Sequence, residues 1–134
     1  MTPIPLSLSV IALAGLLGTT ALPAQAQTAE VRLKASMVSG AASGKAEYRE
    51  RGGRKRLNVQ AEDLPGTTAS PVNVYINAVS IGTITLAACP APAAQLLCGE
   101  VELNSQDGQP VPAVRSGDIV SVGFQPAVLS GVFR

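Results

Sequence analysis

The chain has 134 residues, a formal net charge of +1 at pH 7 and no histidine or tryptophan, and its aromatic residues are two Phe and two Tyr. That length accommodates one ordinary domain and excludes two. The missing histidine removes the commonest general base and metal ligand, so Ser-His-Asp, Cys-His and histidine-zinc chemistry are excluded. The near balance of charge gives no global attraction to nucleic acid or to a membrane surface, and a core must be filled by Val, Leu, Ile and Ala.

From Ile4 to Leu22 the sequence is an apolar run that ends in Pro23-Ala24-Gln25-Ala26, an A-x-A pattern suited to signal peptidase. Residues 1–26 therefore read as a signal helix cleaved after Ala26. That leaves 27–134 as a single domain, periplasmic or secreted, with no membrane span after cleavage. Every Lys, Arg, Asp and Glu lies after residue 29. The first residues carry no Lys or Arg and the run nearly matches a bilayer in length, so a retained anchor is the alternative. Export places Cys89 and Cys98 where a disulfide persists. They flank a proline-containing loop and lack the C-x-x-C spacing of a redox pair; a structural disulfide is expected, with two free buried thiols as the alternative.

Strand signals dominate the rest of the chain. Val31, Leu33, Ala35 and Met37 alternate with polar residues and lead into a small-residue turn from Ser39 to Ser43. A second strand runs from Gly44 to Arg51, turns at Gly52-Gly53 and returns from Arg54 to Asp63. With a two-residue turn there, Arg51 pairs with Arg54, Arg49 with Arg56, Tyr48 with Leu57 and Ala46 with Val59. The apolar pairs then share one face, which a slip of one residue would destroy. Leu64-Pro65-Gly66 ends this hairpin. Val72, Val74 and Ile76 form the next strand, which turns at Asn77-Ala78 and returns with Val79, Ile81, Thr83 and Thr85. Ala78 in a type I′ turn carries strain of about 1 kcal/mol. Val101 and Leu103 alternate with Glu100, Glu102 and Asn104, Asp107-Gly108 turns, and Pro110 and Pro112 confine their segment to an edge or a connection. Ile119, Val120 and Val122 follow Gly117-Asp118, and 128–133 closes the chain. The sum is seven to nine short strands in an all-β, antiparallel, immunoglobulin-like β-sandwich, a small barrel being the other arrangement this pattern allows.

The segments 39–48 (SGAASGKAEY), 57–66 (LNVQAEDLPG) and 74–82 (VYINAVSIG) resemble small exported bacterial β-sandwich modules of unassigned function, and more loosely the CHRD (chordin-type) domain, with its small-residue turn, G-x-A-x-aromatic strand and later Leu-Pro. The likeness covers most of residues 30–133. It implies an extracytoplasmic sandwich used for interaction, with no active site to carry over.

No catalytic, cofactor-binding or metal-binding set stands out. Glu100, Glu102, Asp107 and Asp118 are calcium candidates, but alternating Glu on a strand is ordinarily its solvated face. A paired-carboxylate site needs a deep cleft, and nothing locates a Ser/Lys dyad. The distinctive feature is charge: residues 45–56 hold Lys45, Arg49, Arg51, Arg54, Lys55 and Arg56 against Glu47 and Glu50, leaving the remainder net acidic. The register sets Arg49, Arg51, Arg54 and Arg56 on one outward patch. Like charges opposed across a hairpin are destabilising, and guanidinium groups suit phosphate, sulfated or uronic polysaccharide, or lipid headgroups. The competing reading is an exposed hairpin whose charges prevent edge aggregation. Nucleic acid is disfavoured, since no aromatic stacking platform lies among the arginines. The expectation is a non-catalytic binding or structural module of the cell envelope without a cofactor, with an anionic glycan or envelope component as partner; a small secreted enzyme or enzyme inhibitor is the alternative.

Overall fold

A computed structural model describes residues 29–123 and 126–134. The leader over 1–26 and its cleavage after Ala26 lie outside the described residues. Among those residues no helix is long and apolar enough to cross a membrane.

Among the described residues nine strands form in chain order: β1 (Val31–Ser39), β2 (Ala42–Arg51), β3 (Arg54–Leu64), β4 (Val72–Ile76), β5 (Val79–Ile84), β6 (Ala87–Ala88), β7 (Leu97–Asn104), β8 (Ile119–Val122) and β9 (Leu129–Val132). A five-stranded sheet has the order β1-β2-β3-β7-β6 and a four-stranded sheet the order β5-β4-β8-β9. Every pairing is antiparallel. This is the all-β antiparallel sandwich expected from alternation. The strand order follows from crossings between sheets at β3 to β4, β5 to β6 and β7 to β8, which local pattern does not encode.

The β2–β3 hairpin has the register derived from sequence, from Arg51 opposite Arg54 through Tyr48 opposite Leu57 to Ala46 opposite Val59. Gly52 and Gly53 take φ of 59° and 79°, the left-handed pair that a type I′ turn demands and that glycine adopts without penalty. Tyr48 and Leu57 are fully buried.

Three segments differ from expectation. The first turn is only Gly40-Ala41, because β1 and β2 stay paired as far as Ser39 opposite Ala42. On β3 a bulge falls between Ala61 and Leu64, with Asp63 at φ 57°. The extra residue reverses the alternation and swings Leu64 into the core, where it is fully buried. On β5 a second bulge pairs Val74 with Gly82 but Tyr75 with Ser80, so Ile81 is the additional residue. Inward positions thereby shift to Ile84 and Leu86, while Val79 is 65% exposed and Thr83 faces solvent. The Asn77-Ala78 turn is as expected, both residues having positive φ.

The core is one cluster between the sheets. Cross-strand rows on the five-stranded sheet grade from large to small: Leu33, Tyr48, Leu57 and Leu103 form one row, Ala35, Ala46, Val59 and Val101 the next, and Met37, Gly44, Ala61 and Gly99 a third. Small residues admit the opposite sheet, whose Leu129 and Ile84 reach Gly44 and Gly99, so the layers interdigitate. One flank of the sandwich is stitched: Lys34 N donates to Arg134 O at 3.1 Å and Arg134 N to Lys34 O at 2.9 Å.

A basic depression on the five-stranded sheet

Burial of Tyr48 and Leu57 forces their neighbours Arg49 and Arg56 to the outer face, because successive side chains on a strand point to opposite sides. The register continues across the sheet, so Arg32 on β1, Arg49 on β2, Arg56 on β3 and Asn104 on β7 stand in one row. Arg51 and Arg54 flank the glycine tip one step further along. Together Arg32, Arg49, Arg51, Arg54, Lys55 and Arg56 line an open depression of about 620 Å³ that contains a single carboxylate, Glu30. All four arginines read from sequence are thus brought together. Arg32 was not anticipated; counting back from a two-residue turn at Gly40-Ala41 places it opposite Arg49, but the small-residue run hid where that turn begins.

Glu30 is the internal counter-ion. Its Oε2 lies 3.2 Å from Arg32 Nε and 3.8 Å from Arg49 Nε. The hydrogen bond from Arg32 holds its carboxyl below the usual carboxylate range, and the charges of Arg32, Arg49 and Arg51 act in the same direction. Among the described residues Arg49 Nε, a buried atom, has no hydrogen-bond acceptor, since the 3.8 Å to Glu30 exceeds hydrogen-bond reach. Arg56 Nε meets Glu102 Oε2 at 2.7 Å. Among the described residues Arg51 and Arg54 make no ion pair. These are exposed pairs of small energetic weight.

Near the tip of the hairpin the Tyr48 hydroxyl donates to Glu50 Oε1 at 2.6 Å. Burial, reinforced by the Glu50 carboxylate, pushes Tyr48 up to about 12.

The calcium candidates do not assemble. Glu100 accepts from Asn58 Nδ2 at 2.8 Å and Glu102 binds Arg56, both on β7. The Asp118 carboxylate precedes β8 in the other sheet and accepts from Asn77 Nδ2 at 3.0 Å and from Arg115 N at 2.8 Å. The Asn77 bond, followed by that of Arg115, lowers its pKa. Among the described residues the one group of three close potential ligands is Asp63 with Cys89 and Cys98, and these sulfurs are joined to each other as a disulfide, with a Cα–Cα distance of 4.9 Å. That bridge ties the loop after β6 to β7.

No family model matches the chain, and neither a curated protein nor a solved structure matches it.

Proposed function

We propose that the protein is an exported, non-catalytic binding module of the cell envelope that engages an anionic partner through Arg49, Arg51, Arg54 and Arg56. The observation that carries this reading is the concentration of six cationic residues around one depression with one carboxylate among the described residues that line it, two of the arginines having no ion-pair partner in the described residues. A protective role at a sheet edge has no edge to act on here, because β2 and β3 are both interior strands. The sequence likeness to small exported sandwich modules, the apolar leader with its A-x-A end, and the Cys89–Cys98 bridge support an extracytoplasmic setting.

Chromatography on a sulfated or uronic glycan matrix with a salt gradient tests the binding. The native protein is expected to be retained, and Arg49→Ser with Arg56→Ser to elute at distinctly lower salt. Unchanged retention of the double variant overturns the reading. Turnover of a hydrolase substrate that is lost on substituting one Ser or Glu overturns the non-catalytic assignment in favour of a small enzyme.

A further inference from the structure

The basic depression already holds one carboxylate, that of Glu30. Glu30 Oε2 stands between two guanidinium groups, 3.2 Å from Arg32 Nε and 3.8 Å from Arg49 Nε. It satisfies the first and leaves the second, a buried donor, without a hydrogen bond. Glu30 stands too far from Arg49 Nε to accept its hydrogen, so a carboxylate able to approach Arg49 more closely than Glu30 gains what Glu30 forgoes. Glu30 also precedes β1 and lies outside the strand pairing, so its carboxylate can withdraw without breaking the sheet ladder.

The remaining cations extend the site in two directions. Neighbouring strands lie about 4.8 Å apart, and alternate residues along a strand about 6.8 Å apart. The row from Arg32 through Arg49 to Arg56 therefore spans about 10 Å across the strands, with Arg51 and Arg54 one step beyond it. A single small anion occupies only part of such an array, whereas a chain bearing acid groups on successive units covers it. Among the described residues no aromatic side chain lines the depression, so they offer no stacking surface of the kind that single-stranded nucleic acid uses.

We infer that the depression binds a linear polycarboxylate, a uronate-rich polysaccharide, laid across β1, β2 and β3 along Arg32, Arg49 and Arg56, and that one of its carboxylates displaces Glu30. This rests on the anion-binding reading above and adds the ligand class and the internal competitor. Specificity comes from planar pairing of guanidinium with carboxylate, and the free protein is held in a self-occupied state.

The test is calorimetric titration of the protein with oligogalacturonate, with polyphosphate of similar length as the comparison anion. Glu30→Gln removes the competitor, and oligogalacturonate affinity is expected to rise about two- to five-fold, the range spanned by an exposed ion pair. Glu47→Gln removes the same charge from the same face at a position paired with Lys34, and is expected to change affinity less. Arg32→Ser is expected to weaken binding. Equal gains from Glu30→Gln and Glu47→Gln, or no gain from Glu30→Gln, overturn displacement of Glu30. Binding of polyphosphate without oligogalacturonate overturns the ligand class while leaving anion binding intact, and binding of neither overturns the anion-binding reading itself.

Discussion

Tyr48 shows how one side chain serves both the core and the surface chemistry. The residue is fully buried, and its hydroxyl donates to Glu50 near the hairpin tip. Burial first and the Glu50 carboxylate second raise its pKa to about 12, against an unfolded value near 10. The fold therefore holds the protonated phenol more tightly than the unfolded chain does. Its contribution to stability is fully present below about pH 10 and is lost as pH rises toward 12. The expected result in urea unfolding is a midpoint that falls across that window in the native protein and falls less in Tyr48→Phe. At neutral pH the same substitution is expected to cost about 1 kcal/mol for the lost hydrogen bond. An alkaline decline of equal size in the Phe variant would remove Tyr48 as its source.

At the scale of elements, the seam between β1 and β9 is where the two sheets come closest outside the core. Lys34 and Arg134 exchange backbone hydrogen bonds, and a Cβ on Gly131 would run into the Ser36 carbonyl oxygen and come within 2.9 Å of Met37 Cγ. Glycine is required there by approach, since backbone cannot yield as a flexible side chain does. Gly131→Ala is expected to destabilise the protein by about 2 kcal/mol, in the range of overpacked sites. Hydrogen exchange is expected to report it as lost protection at Lys34 and Arg134; protection retained at both amides would show that the seam does not depend on this glycine. The β2–β3 register was legible because Gly52-Gly53 marks the turn and the apolar residues on both sides fix a single pairing. The inward residues of β5 were not, because a bulge at Ile81 swaps the faces and only the strand-interior Gly82 beside it marks the place. Leu64-Pro65-Gly66 does end the hairpin, β3 stopping at Leu64, but alternation does not show that Asp63 in the left-handed region makes Leu64 a core position. Arg32 was hidden by the neighbouring element, since its place beside Arg49 depends on where the Gly40-Ala41 turn begins.

On the scale of the whole molecule, charge and packing are separated by layer. Every charged residue that lies in a strand is on β1, β2, β3 or β7 of the five-stranded sheet, while β4, β5, β8 and β9 carry none. No charged side chain is buried among the described residues. Folding therefore draws on apolar burial between the sheets, and the proposed anion-binding surface would draw on exposed cations. Salt separates the two contributions, because exposed charges are screened over about 10 Å at 0.1 M ionic strength and over about 3 Å at 1 M. Raising sodium chloride from 0.1 to 1 M (about 10 to 3 Å in screening length) is expected to lower affinity for an anionic glycan ten-fold or more. The stability measured in urea is expected to move by less than about 0.5 kcal/mol, since exposed ion pairs such as Arg56–Glu102 each contribute little. A fall in stability that tracks the loss of binding would show that the arginine face helps to hold the sandwich together. Loss of binding at constant stability instead identifies a surface whose charges are there for a partner, carried on a sheet that folds without them.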